Sequence, residues 1–164
     1  MARSAVQDKD LGFKKILEDI KKTGIQEILV GIQEGSKTKV ESKKGRKQDS
    51  GVNIAQYAAE NEFGTNKIPE RSFMRSTFDQ KINEIEDVID EEIALVIDNV
   101  QSLPKALARI GVSIQALVKI KIREIRSPPN SAATIAIKKS SKPLIDFGQM
   151  IAAVRYIIRR KSTK

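Results

Sequence analysis

An α+β domain is the fold class that this sequence predicts, with a small antiparallel sheet packed against a long antiparallel helical hairpin. Apolar residues recur at steps of three and four over 73–100 and again over 103–125, which is the period of one helix face. Only Gln101 and Ser102 link these two stretches, and so short a link makes them antiparallel neighbours. Two shorter runs near 27–32 and 153–160 are rich in Ile, Leu and Val and supply the strands. The chain has 164 residues, a length that suits one domain over 1–164.

The two helices of the hairpin have recognisable ends. The first is predicted over Phe73 to Val100, and its apolar face is formed by Ile82, Ile85, Ile89, Ile93, Val96 and Val100. The second is predicted to begin at Ser102-Leu103-Pro104, because proline is tolerated in the first turn. Ser127-Pro128-Pro129 stops it, since a residue before proline avoids the helical conformation.

Shorter elements precede and follow the hairpin. Leu11 to Lys22 is predicted as an amphipathic helix that Thr23-Gly24 ends, Glu27 to Ile32 as a strand, and Val52 to Phe63 as a short helix. Residues 127–142 are rich in Ser, Pro, Asn and Lys and are predicted to be irregular. Residues 150–160 fit a helix or a strand equally well by their apolar period.

A basic segment without apolar clustering lies between the first strand and the short helix. We predict a flexible loop over 36–50, whose cations are Lys37, Lys39, Lys43, Lys44, Arg46 and Lys47. Two interpretations stay open. The segment is either the solvated tip of a hairpin, or it contacts DNA or an acidic partner.

Charge is strongly segregated along the chain. The net charge is +9, composed of +4 over 1–83, −7 over 84–98 and +12 over 99–164. Such segregation indicates that one face meets another. We predict a subunit interface at Glu84, Asp87 and Glu91. The alternative is a contact within the hairpin, with Asp90, Glu91 and Asp98 near Arg109 and Lys105.

The composition excludes several kinds of chemistry. The chain has no His and no Cys, which excludes His-based catalysis, disulfides and thiolate metal sites. It also lacks a Gly-rich phosphate loop and a G-x-S-x-G turn. We therefore expect no enzyme activity, cofactor, metal or small-molecule substrate. No apolar run approaches the ~18 residues of a membrane span, and we expect no membrane partner.

Two segments about seventy residues apart each combine a turn with apolar anchors. The first is Asn61-Glu62-Phe63-Gly64-Thr65 followed by Ile68 to Arg75, and the second runs from Pro129 to Ile135 and then from Lys142 to Met150. We expect Gly64 to form a left-handed C-cap, Pro69 to hold an extended segment, and Phe73 and Phe78 to supply bulky apolar anchors, with Phe73 buried. For Glu62, at a helix end, we expect a structural hydrogen bond rather than catalysis.

Together and in this order, the two segments resemble the virion-morphogenesis family of tailed bacteriophages, the phage Mu-like neck and tail-completion proteins. The residues that carry the resemblance are Phe63, Gly64, Pro69, Arg71, Phe73, Pro143, Leu144 and Gly148. The chain departs from the family wording at Ser72, where a second proline is usual. It departs again at Phe147, where a small hydroxyl residue usually precedes the glycine.

The resemblance implies a structural role in the virion. It implies a tail-completion or tail-terminator ring subunit, in a ring of six around the channel that DNA crosses, in contact with adjacent neck and tail-tube proteins. Assembly would take place in the host cytoplasm. It favours a short helical turn after Gly148, then a strand from about Val154 that pairs with Glu27–Ile32. The alternatives are a head-side joining (connector) protein and a free basic nucleic-acid-binding protein, since the C-terminal half offers many phosphate-binding cations.

Overall fold

The computed structural model describes residues 12–32, 37–41, 47–138, 141–145 and 148–161. Within them the helices and strands follow one another as α1 (Phe13–Thr23), β1 (Gln26–Ile32), β2 (Lys37–Glu41), β3 (Lys47–Asn53), α2 (Ile54–Phe63), α3 (Met74–Ile97), α4 (Leu103–Glu124), α5 (Ala132–Lys138), α6 (Gln149–Ala153) and β4 (Val154–Arg160). The chain is α+β, as its apolar patterning predicts.

The helical hairpin is confirmed. Helices α3 and α4 pack against each other, with Ile85 of α3 buried beside Ile110 and Ile114 of α4. Ser102 precedes α4 in an extended conformation, and Pro104 lies in its first turn as predicted. Lys81 interrupts the helical geometry of α3, with φ −119° and ψ 17°. The hairpin therefore forms one wall of the core, and its N-terminal end adjoins the motif segments.

The sheet that the resemblance favoured is also present. Strands β1 and β4 pair antiparallel, with Ile28 opposite Ile158 and Val30 opposite Tyr156. One sheet face packs on α4, where the Tyr156 ring lies against Gly111 so closely that a Cβ there would lie 2.4 Å from the ring. The backbone N–H of Tyr156 donates to Gln115 Oε1 at 3.0 Å. A helix side chain thus occupies part of the outer edge of β4.

The main core lies between α2, α4 and the tail. Its buried residues come from segments far apart in the chain: Ile54, Ala58, Phe73, Val118, Ile122, Leu144, Met150 and Val154. Gly148 takes the left-handed conformation (φ 68°, ψ 10°) just before α6, a geometry that glycine adopts without steric cost. That turn leads the chain into α6, and at the end of α6 the extended Val154 begins β4 and is fully buried.

Two predicted irregular segments contain regular structure. Strands β2 and β3 pair antiparallel, with Lys39 opposite Asp49 and Glu41 opposite Lys47, so the loop prediction for 36–50 is wrong at 37–41 and 47–50. Backbone ladders need no apolar side chains, which is why low hydrophobicity misled the interpretation. Lys43, Lys44 and Arg46 lie outside the described residues. Segment 127–142 likewise contains the seven-residue helix α5, where the Ser131 hydroxyl accepts from the Thr134 N–H at 3.2 Å.

Candidate functional site

Arg71 joins the two sequence motifs. Its buried guanidinium donates from Nε to the Pro128 carbonyl at 2.7 Å and from Nη2 to the Pro129 carbonyl at 3.0 Å and to Asn130 Oδ1 at 3.3 Å. The remaining arm, Nη1, donates to Asn61 Oδ1 at 3.1 Å. Only a rigid, planar group with several donors can bind acceptors on both sides at once. Arg71 therefore ties the end of α2 to the segment that follows α4.

The acceptors around Arg71 are themselves held in place. Asn61 is fully buried, and its Nδ2 donates to the Tyr57 carbonyl at 2.9 Å. The Asn61 carbonyl accepts from the Arg71 N–H at 2.6 Å. Burial lowers the pKa of Arg71 from its ordinary value, and the charge interaction with Tyr57 opposes that shift. The guanidinium stays protonated at any physiological pH, so this junction is a fixed cation.

Glu62 caps helix α3, which confirms the predicted structural role. Its carboxylate accepts from the backbone N–H groups of Phe73 and Met74 at 2.8 Å each and from that of Arg75 at 2.9 Å. The Ser72 hydroxyl donates to it at 2.8 Å. A helix N-terminus leaves these N–H groups without intrahelical partners and carries partial positive charge, both of which favour a carboxylate.

The hydrogen bonds decide the ionisation of Glu62. Burial raises its pKa, but the bonds donated by Arg75, Met74, Ser72 and Phe73 outweigh burial and hold that pKa below its ordinary value. The group is therefore a poor proton donor or acceptor near neutral pH. Ser72 adds a side-chain hydroxyl to the three backbone N–H groups of the cap.

The phenylalanines at 63, 73 and 78 divide into one that is buried and two that are not. Phe73 is 2% exposed, which confirms it as a core anchor, and it packs in the same core as Leu144. Pro143 is also fully buried. Phe78 is 37% exposed, so the prediction that it is a second apolar anchor is wrong, and Phe63 is 70% exposed. Five residues along a helix turn the side chain by about 140°, which directs Phe78 away from the side of Phe73.

The turn after α2 is built by Gly64 and Thr65. Gly64 has the expected positive φ (73°), but its ψ of 166° lies outside the left-handed helical region, so the predicted cap geometry is wrong in that angle. A Cβ there would meet the Glu70 backbone nitrogen at 3.0 Å. Thr65 Oγ1 accepts from the Lys67 and Ile68 N–H groups at 3.2 and 3.0 Å. The turn brings Pro69 and Arg71 back beside Asn61.

An open cleft of about 590 Å³ lies over this junction. Its lining comes from both motif segments: Tyr57, Asn61, Lys67, Ile68, Pro69, Arg71, Pro129, Asn130, Ser131 and Thr134. Arg71 and Asn61 are engaged with each other and with backbone groups, and Lys67 is exposed. The arrangement is suited to holding segments together or to contacting an acidic surface, and it pairs no nucleophile with a base.

The acids predicted as a subunit interface are all exposed on α3. Glu84 accepts from Lys81 at 2.8 Å, and this hydrogen bond, with the charge of Glu84, raises the pKa of Lys81. Asp87 and Glu91 are exposed one and two turns further on. Their interface role stays a prediction.

Within the hairpin, a different acid from those we named pairs with Arg109. Glu92 Oε1 accepts from Arg109 Nη1 at 3.3 Å, and the Glu92 carbonyl accepts from Gln101 at 3.0 Å. Glu92 follows the buried Ile85 by seven residues, which is two turns, and therefore lies on the side of α3 that faces α4. Asp90, Glu91 and Asp98, which we expected near Arg109 and Lys105, lie on other sides of the helix.

Sequence reasoning missed one exposed feature, the outer face of the β1–β4 sheet. Leu29 and Ile157 lie opposite each other and are 38% and 41% exposed. The alternation of buried and exposed residues along β4 could have indicated this face once the residues were known to form a strand.

Of the cations predicted to contact DNA or an acidic partner, Lys37, Lys39 and Lys47 lie on β2 and β3.

Comparison of the chain with protein-family models, with curated proteins and with solved structures found no match. Across the described parts of the chain, the helices are too short or too polar to cross a membrane. The same parts hold no cluster of three or more acidic side chains arranged as metal ligands. The two motif segments and the surfaces described above are therefore the features that bear on function.

Proposed function

We propose that this protein is a structural subunit of a tailed-phage neck, a tail-completion or tail-terminator protein that forms a ring between tail and head. The observation that carries the proposal is the junction at Arg71. The two segments that resemble the virion-morphogenesis family are seventy residues apart, yet Arg71 of the first binds the backbone of Pro128 and Pro129, where the second begins.

This contact explains why residues of both motif segments belong to one structural unit. Arg71 supplies the donors, Phe73 and Leu144 share one core, and Gly148 supplies the left-handed turn that leads into α6. Residues that act together in one fold are a stronger basis for a family resemblance than separate matches. The order of α6 and β4, and the pairing of β4 with β1, also follow the arrangement that the resemblance favoured.

The proposed mechanism is association and not turnover. A ring needs a heterologous interface, in which one patch meets a different patch on the next copy. The chain offers opposite charges for this, with exposed acids on α3 and exposed arginines on β4. The isolated protein is expected to be monomeric or weakly associating, and to close into a ring of six on its tail or neck partner. The basic segment at 37–47 would then contact channel DNA or an acidic neighbour.

The test is to locate the chain in assembled particles. The gene is inactivated in its phage, and lysates are examined by electron microscopy with and without the wild-type protein supplied from a plasmid. We expect separate heads and tails without the protein, joined particles on complementation, and the labelled protein at the head–tail junction. Normal particles without the protein would overturn the proposal.

The same particle preparations distinguish the tail-completion role from the head-side alternative. A connector protein would stay with isolated heads, whereas a tail-completion protein would stay with isolated tails. Labelled protein found on tails and absent from heads supports the tail role, and the reverse distribution supports the connector.

One observation favours a second class of function, nucleic-acid binding. Strand β4 and the residue after it present four exposed cations: Arg155, Arg159, Arg160 and Lys161. Arg159 is engaged by Glu27 at 2.6 Å, which reduces the charge offered to phosphate. A gel shift at near-physiological salt that weakens steeply as salt rises would support this class. Absence of binding there supports the neck role.

A further inference from the structure

The outer sheet face has an apolar groove with a basic rim. The groove of about 230 Å³ is lined by Leu29, Val30, Gly31, Ile32, Arg155 and Ile157. A Cβ placed on Gly31 would meet no atom within 4 Å, so the missing side chain leaves open space between the exposed pair Leu29–Ile157 and the exposed Arg155. When an apolar side chain fills an apolar groove that is open to water, both surfaces leave water and binding is stabilised.

Helix α3 presents an apolar ridge with an acidic rim. Ile82 and Ile89 are 46% and 36% exposed and lie two turns apart on one line. Glu86 and Asp90 are exposed and lie about 40° and 80° around the helix from that line. The buried Ile85 lies on the opposite side of the ridge from these acids, toward α4. We call Ile82, Ile89, Glu86 and Asp90 the α3 ridge.

We propose that the sheet groove of one copy of this chain receives the α3 ridge of a second copy. The two patches match in both chemical respects: each has an apolar centre, and the Arg155 rim is opposite in sign to the Glu86 and Asp90 rim. Because the patches are different parts of the same chain, a pair of copies keeps one free groove and one free ridge, and the contact can repeat. The inference depends on the proposed function only for the setting in which the contact closes into a ring.

A second copy fits the groove better than nucleic acid does. The centre of the groove is Leu29 and Ile157, which offer phosphate nothing, and a single arginine at the rim gives little of the charge that DNA binding needs. The inference also differs from the interface predicted at Glu84, Asp87 and Glu91. Asp87 and Glu91 lie about 140° and 180° from Ile82, on a side of α3 without large exposed apolar residues.

Disulfide trapping tests the contact directly. The chain has no cysteine, so Gly31→Cys and Ile89→Cys each introduce a unique thiol into the full-length protein. The two variants carry tags of different size and are mixed, reduced, and then oxidised at millimolar concentration. We expect the mixed dimer to form several times faster than the dimer between Gly31→Cys and Asp87→Cys. Equal rates, or faster dimers of Gly31→Cys with itself, would overturn the inference.

Substitutions provide a second measurement. Gly31→Val fills the groove, and because valine suits a strand the monomer should melt no lower than wild type. Here the groove partner carries Leu29→Cys and the ridge partner carries Ile89→Cys, and adding Gly31→Val to the groove partner should abolish trapping. Glu86→Lys with Asp90→Lys should slow trapping, and Arg155→Glu on the groove partner should restore it. Trapping that survives Gly31→Val would contradict the inference.

The matched control is Asp87→Lys with Glu91→Lys, which makes the same charge change on the other side of α3. It should leave the trapping rate near wild type. If it slows trapping while Glu86→Lys with Asp90→Lys does not, the interface is the one predicted from the sequence and the ridge assignment is wrong. Particle location tests the neck role separately. A trapped dimer from a protein that is absent from particles would support the contact and contradict the neck role. A protein found at the neck that gives no trapped dimer would support the neck role and contradict the contact.

Discussion

Two regions of this protein are held in contrasting ways. At the Arg71 junction, polar and charged side chains are buried, and Asn61, Glu62 and Arg71 all have hydrogen-bond partners. Along the outer side of α3, by contrast, apolar side chains such as Ile82 and Ile89 are exposed. The junction has the satisfied hydrogen bonds of a protein interior, whereas the ridge has the exposed apolar surface that is typical of one side of an interface. The junction therefore stabilises the fold through satisfied buried polar groups, whereas the α3 ridge leaves apolar surface in contact with water.

The largest expected effect comes from removing the aromatic ring beside the junction. Phe73→Ala should lower the free energy of unfolding by roughly 3–5 kcal/mol, because it leaves a cavity in the main core. Phe78→Ala, the matched change on the exposed side of α3, should cost about 1 kcal/mol or less. Urea unfolding followed by circular dichroism measures both. Equal losses would remove the distinction between the two regions.

The next effect tests the bridge itself. Arg71→Lys keeps a positive charge but cannot reach the carbonyls of Pro128 and Pro129 together with Asn61, and buried acceptors left unpaired cost about 1–3 kcal/mol each. We expect a loss of about 3 kcal/mol. Arg75→Lys, on the exposed first turn of α3, should cost under about 1 kcal/mol. A melting temperature for Arg71→Lys equal to that of Arg75→Lys would show that the bridge contributes nothing.

The Glu62 cap predicts a pH dependence. Its pKa in the folded protein lies below the ordinary 4.5, so the stability it contributes is complete above the pKa of the unfolded chain and is lost as pH falls through the folded value. Glu62→Gln should cost about 1–2 kcal/mol at neutral pH. Its stability should also fall less than that of the wild type as the solution is acidified below about pH 5. Parallel pH profiles for the two proteins would contradict the assignment.

The smallest effect compares two glycines on opposite sides of the sheet. Gly111→Ala forces the Tyr156 ring to move and should cost about 1 kcal/mol, even though alanine favours a helix by a similar amount. Gly31→Ala has open space and should be neutral or slightly stabilising. Thermal melting of both variants provides the comparison. A stabilised Gly111→Ala would mean that the ring packs less tightly than its position indicates.

Much of the fold was predictable because it depends on local or periodic signals. The repeat of Ile and Val along α3 and α4, Pro104 in a first turn and the short link between them specify the hairpin. The ambiguity over 150–160 was different, since periods of two and 3.6 both fit that stretch. Only the pairing of β4 with β1, which buries Val154, decides for a strand.

The sequence by itself determined the α+β class, the hairpin, the burial of Phe73 and the structural role of Glu62. These follow from side-chain periodicity, from turn residues and from the chemistry of a helix end. The tertiary structure alone decided that Arg71 binds the segment after α4, that Glu92 pairs with Arg109, and that Phe78 is partly exposed. It also decided that Gly31 opens a groove opposite in charge to the α3 ridge. Contacts of this kind depend on where distant segments meet, and no local pattern along a single chain encodes the direction of a side chain toward a partner tens of residues away.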